Sequence, residues 1–260
     1  VLIQRSCGYS WRPSLSIAEI GNLCKRIHER QPDCVCFVDN CYGEFVEALE
    51  PPAVGADLIA GSLIKNPGGT IAPAGGYVAG RADLVRQASC RLTAPGIGMD
   101  GGTGFDLHRL VLQGIFLAPQ MVSEALIGAD LVAGVFARLG FPVQPAAGGM
   151  RSDLIQAVRL GTPEALKIVC RAFQACSPVG SYLDPVPAEM PGYASALVMA
   201  GGTFIDGSTS EFSADAPLRE PFDLFVQGGT HRTHIRLALT DALTALDAAG
   251  LIDLPQTGMA

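Results

Sequence analysis

Two short apolar runs, each ending in a polar residue, constrain this chain most. Cys34-Val35-Cys36-Phe37-Val38-Asp39 and Asp57-Leu58-Ile59-Ala60-Gly61-Ser62 read as strands buried on both faces, because a half-exposed strand would alternate polar and apolar residues. Ahead of the first run, Ser16-Ile17-Ala18-Glu19 has the form of a capping box. Ile17, Ile20, Leu23, Cys24 and Ile27 follow at helical spacing, so a helix is expected from about Ser16 to Arg30. With β-branched Val1-Leu2-Ile3-Gln4 as an opening strand, this is a βαβ unit of a parallel sheet. Ligands of such sheets bind beyond the carboxyl ends of the strands, which is where Asp39, Ser62 and then Lys65 fall.

Downstream, Asn66 to Gly76 is dense in glycine and proline and predicts tight turns or close backbone approach. Tyr77 to Gly80 reads as a strand, Arg81 to Arg91 as a helix, Thr93 to Gly104 as a second glycine-rich loop. Leu107 to Leu139 is helical, with a break expected at Pro119. After a linker at Pro145 to Gly149, strand-like runs (Leu154 to Leu160, Leu197 to Ile205, Leu224 to Val226) alternate with helices (Pro163 to Cys176, Thr230 to Ala249). The expected organisation is an α/β large-domain portion over 1–145 with a mostly parallel sheet, and a smaller α+β domain over 146–260.

Of the 260 residues 48% are hydrophobic and 17% charged, enough to bury a core. A net charge of −7 gives no electrostatic footprint for nucleic acid or an anionic membrane. The longest apolar stretch, Ala125 to Phe141, is interrupted by Asp130 and Arg138, which argues against a bilayer span. Eight scattered cysteines in a chain this long point to a reducing cytosol, and neither a CxxC nor a histidine spacing typical of zinc occurs, so no metal is expected. His231 and His234 read as a helix start. A small-molecule enzyme of the cytoplasm is the resulting expectation.

The chemistry lies in four residues. Asp39 ends one strand, Tyr42 follows three residues later, and Ser62-x-x-Lys65 closes the next strand. A lysine amine and a carboxylate at one sheet edge are what a pyridoxal phosphate (PLP) enzyme needs. The amine carries the cofactor as a Schiff base and moves the α-proton, while the carboxylate keeps the pyridine nitrogen protonated. This pattern resembles the fold-type-I PLP superfamily. Val38-Asp39-Asn40-Cys41-Tyr42-Gly43-Glu44-Phe45-Val46-Glu47 and Gly55 through Gly69, with Arg91 to Gly98, Met199 to Phe204 and Pro217-Leu218-Arg219-Glu220-Pro221, are similar to the methionine gamma-lyase family, also called aluminium-resistance proteins.

The resemblance implies a cystathionine-lyase-like enzyme that splits a sulfur-containing amino acid into thiol, ammonia and 2-oxo acid. It also implies active sites formed at the interface of a homodimer or homotetramer. The residues it assigns are Lys65 as Schiff-base lysine, Asp39 at the pyridine nitrogen, Tyr42 at the ring oxygen, Ser62 at the phosphate and Arg219 at the substrate carboxylate. The family's amino-terminal phosphate turn and ring-stacking aromatic are not found here, so the chain is expected to be the carboxyl-terminal two thirds of the enzyme. Pro73 stands where aminotransferases carry a phosphate-binding arginine, eight residues after the lysine. An aminotransferase of the same fold, or a PLP-binding protein without turnover, remain alternatives.

Blander readings stand beside these. Asp39 could cap a helix beginning near Gly43, Tyr42 could be core, Ser62 could bond local backbone, and Glu220 could pair with Arg219. Glu44 and Glu47 read as a solvated helix start. Arg5 and Ser6, at the end of the first strand, could touch cofactor or only hold a loop.

Overall fold

The computed structural model describes residues 1–101, 104–201 and 210–254. These fall into two compact units. The first contains Val1–Ser123 and Arg151–Leu154; the second contains Glu124–Met150 together with 155–201 and 211–254.

The first unit is built on a sheet of strands β1 (Leu2–Gln4), β2 (Phe37–Asp39), β3 (Leu58–Ser62) and β4 (Gly76–Gly80), in that order. β1 and β2 pair in parallel, as do β2 and β3, whereas β4 runs antiparallel to β3. Helix α1 (Ile17–Arg30) starts at the expected capping box: Ser16 accepts from the Glu19 amide and Glu19 reaches back to the Ser16 amide. Its apolar stripe buries Ile20 and Cys24 against Ile3, Cys36, Val38 and Ile59 of the sheet, so the βαβ unit forms as its periodicity predicts. Helix α2 (Ala82–Leu92) follows β4.

Helix α3 (His108–Arg138) runs without a break through Pro119, which corrects the expected interruption. Ala118 and Val122 flank the proline and are fully or almost fully buried. Their packing outweighs the roughly 3 kcal/mol that an interior proline costs. Longer than the stretch weighed in sequence, α3 is long and apolar enough to cross a membrane, a test that core helices of soluble proteins also pass.

The second unit carries an antiparallel sheet of β5 (Val143–Gln144), β6 (Gln156–Arg159), β7 (Leu197–Ala200), β8 (Ser213–Pro217) and β9 (Asp223–Gln227), ordered β5-β6-β9-β8-β7. Helices α4 (Pro163–Ala175) and α5 (Arg232–Ala248) pack on it. Leu166, Val169, Cys170 and Phe173 of α4 meet Ile235, Ala238, Leu239, Ala242 and Leu246 of α5 in one core. The expected strand over Leu197 to Ile205 is seen as far as Ala200, and its remainder lies outside the described residues. His231 caps α5 by accepting from the Thr233 amide, and His234 bonds the Cys176 carbonyl at 2.6 Å.

Candidate active site

Three of the four residues singled out in the first unit stand at or just beyond the carboxyl ends of two adjacent parallel strands, and Lys65 follows. Asp39 is the last residue of β2 and pairs with Ala60, two residues short of Ser62 at the end of β3. Lys65 heads a single 3-10 turn, Asn66–Gly68, whose Gly68 amide bonds the Lys65 carbonyl at 2.9 Å. Its half-buried side chain reaches back so that Nζ lies 4.3 Å from the centroid of the Tyr42 ring. Lys65 and Tyr42 therefore meet, but through the face of the ring rather than the phenol oxygen: a cation over an aromatic quadrupole.

Tyr42 sits at φ +69, a left-handed conformation uncommon for a residue other than glycine. Its carbonyl accepts from the Leu154 amide. The Asp39 carboxylate accepts from the Cys41 amide at 3.1 Å, fixing the turn that delivers Tyr42. No helix begins at Gly43; turns occupy that stretch, so the helix-cap reading of Asp39 is corrected. Ser62 Oγ accepts from the Ile64 amide at 3.3 Å, the local bond its blander reading anticipated, and this leaves the hydroxyl proton available to donate.

Sequence reasoning missed two neighbours of this edge. The Cys41 thiol lies in the fields of both Lys65 and Asp39, and burial pushes it up to about 11. Glu44, read as solvated, is 3% exposed. It accepts from the Tyr77 hydroxyl at 2.7 Å, and its carbonyl accepts from Asn66, the residue after Lys65, at 2.9 Å. Arg5 is fully buried and spoken for: it donates to Asn40 at 2.8 Å and pairs with Glu47 and Glu50 at 3.2 and 3.3 Å. Asn40 in turn donates to Glu50 and to Tyr77 Oη. Arg5 is thus the base of the strand edge, and Glu47 is its partner rather than the start of a helix. Ser6 Oγ accepts from the Gly8 amide, which fits its loop reading.

Glycine makes this network possible. A Cβ on Gly61 would stand 2.4 Å from Glu44 Oε1 and 2.5 Å from the Tyr77 ring, and one on Gly43 would stand 2.4 Å from Arg5 Cδ.

Arg219 belongs to the second unit. It lies in the turn between β8 and β9, where its amide bonds the Pro217 carbonyl and its carbonyl accepts from Phe222.

An amine, a carboxylate and a hydroxyl at one strand edge, with an aromatic ring against the amine, form a donor set that fits PLP. The methionine gamma-lyase family model matches residues 1–247. The chain belongs to the methionine gamma-lyase family. It is similar to the uncharacterized protein YnbB of Bacillus subtilis, with 46% identity over 96% of this chain and 59% of that one. A solved Listeria monocytogenes protein involved in aluminum resistance superposes with a TM-score of 0.89 at 46% identity, over 94% of this chain and 60% of that one. A carbon-sulfur lyase involved in aluminum resistance from Clostridium novyi gives 0.88 at 44%, over 95% and 57%. Members of the methionine gamma-lyase family such as these are longer: the chain spans 59% of the first and 60% of the second. The apo methionine gamma lyase of Micromonospora echinospora, 17% identical with a TM-score of 0.57 over 94% of this chain and 63% of that one, shares the fold alone.

Proposed function

We propose that this protein is a PLP-dependent carbon-sulfur lyase acting on a sulfur-containing amino acid. The observation that carries the reading is Lys65 Nζ over the Tyr42 ring at the strand edge that Asp39 and Ser62 also occupy. PLP, when bound, supplies an electron sink for negative charge developing at the substrate α-carbon. Asp39 would hold a proton at the ring nitrogen, and Ser62 would donate to the phosphate. The Lys65 amine would hold the cofactor and, once free, would move the substrate α-proton. Tyr42 packs its ring face against the end of the Lys65 side chain and would position it at the strand edge. Arg219 binds the substrate carboxylate through its guanidinium fork. Loss of thiol from the β or γ carbon, then hydrolysis by water with release of ammonia, would leave a 2-oxo acid.

The named activity of the Clostridium novyi relative supports this reaction class. All eight cysteines are free thiols, which supports placement in the reducing cytoplasm. The full-length gene product, supplied with cystathionine, methionine or cysteine, is expected to release thiol (hydrogen sulfide from cysteine) and 2-oxo acid in equal amounts. Stoichiometric amino transfer to an added 2-oxo acid without thiol release would instead make it an aminotransferase.

A further inference from the structure

At the end of the first sheet opposite Lys65, side chains from three elements converge. His28, in the last turn of α1, places Nε2 3.0 Å from Asp57 Oδ2. The donor atoms of His28, Cys36 and Asp57 all lie within 4.8 Å of one another. Cys36 immediately precedes β2 and Asp57 precedes β3, so both stand at the amino-terminal ends of parallel strands. A fourth donor is close by. Cys24 lies one helical turn before His28 on α1, is fully buried, and packs in the same cluster of buried residues as Cys36.

One imidazole, one carboxylate and two thiols make a tetrahedral zinc donor set, with metal-ligand distances of about 2.0–2.3 Å and ligand atoms therefore ~3.5 Å apart. The His28, Cys36 and Asp57 donors, within 4.8 Å of one another, are small side-chain adjustments from that spacing. The carboxylate is already oriented. Its Oδ1 takes Arg81 Nη1 at 3.1 Å and its Oδ2 takes the Cys36 amide at 2.8 Å, as outer partners orient a ligating group. An ion pair of His28 with Asp57 explains those two residues. The two fully buried thiols belong to the apolar core of this unit, and beside the pair they also complete a mixed donor set.

We propose that Cys24, His28, Cys36 and Asp57 bind a thiophilic divalent ion, zinc by preference, in a structural site separate from the lysine site. On binding, each thiol gives its proton to solvent and donates a sulfur lone pair to the metal. His28, with its side chain 31% exposed, leaves the ion a route from solvent.

The test is a titration of the reduced, metal-free full-length gene product with cobalt(II), followed by absorbance and then by competition with zinc. One equivalent is expected to give thiolate-to-cobalt charge transfer and intense tetrahedral d–d bands, which zinc displaces. The paired change Cys24→Ser and Cys36→Ser should abolish the charge transfer. His28→Ala, at a partly exposed position, should weaken cobalt binding at least about tenfold while the circular dichroism spectrum stays that of wild type. Lys65→Ala should leave the titration unchanged, which separates this site from the cofactor reading. A spectrum without thiolate charge transfer overturns the proposal. So does a spectrum that survives both sets of changes, since the ion would then sit on other cysteines such as exposed Cys90.

Discussion

Glu44 is where burial and ionisation conflict most directly. Burial pushes its carboxyl from 4.5 up to about 7, against the bond from Tyr77 and the Arg5 charge. The folded chain therefore keeps a proton that the unfolded chain releases between pH 4.5 and about 7. Stability falls as pH rises through that window and is level above it, by about 3 kcal/mol in all. Glu44→Gln is expected to remove this slope, so denaturant melts at pH 5 and pH 8 should differ in wild type and converge in the variant. An unchanged slope would assign the titration to another group. At this scale the sequence was partly legible. Asp39, Ser62 and Lys65 could be placed from the ends of two apolar runs, because those ends must lie at one sheet edge. Glu44 and Arg5 could not, since their burial depends on Gly61 and Gly43 giving room to side chains from elsewhere in the chain. The His28, Cys36 and Asp57 cluster was hidden for the same reason: its donors come from three elements and share no local spacing.

Helix α3 meets the lysine loop backbone to backbone at Gly114. A Cβ on Gly69 would stand 2.2 Å from the Gly114 carbonyl oxygen, and one on Gly114 would stand 2.3 Å from the Gly68 oxygen. The loop that presents Lys65 is thus seated directly on a helix. Gly114→Ala is expected to push it away, costing roughly 1–3 kcal/mol of stability and lowering cofactor occupancy per chain. Thermal denaturation with a cofactor assay checks both, and full occupancy in a destabilised protein would show that the seating matters only for folding. Elements with strong periodicity, such as α1, were readable. Strand β8 was not, although all five residues of Ser213–Pro217 are buried. Ala214 and Ala216 fill their places with little apolar bulk, and Asp215 is accommodated by a bond from Gln227 at 3.1 Å, so no apolar run marks the strand. Pro119 misled for the opposite reason: a local breaker signal lost to burial on both sides of it.

For the whole molecule, Leu92, Met99, Phe105, Leu112 and Phe116 of the first unit are between 69% and 81% exposed. So many large apolar side chains on one unit favour an interface, and we propose that it lies between copies of this chain. Light scattering of the full-length gene product is expected to give a dimer or tetramer, and Phe116→Glu to shift it toward monomer; a monomeric wild type would refute this. The account as a whole turns on Lys65. Borohydride reduction of the full-length gene product loaded with PLP, followed by peptide mass mapping, should fix the cofactor on Lys65 and bleach the visible absorption band. Lys65→Ala should show neither band nor adduct. A cofactor trapped on any other lysine, or no trapped cofactor in wild type, would contradict the central claim.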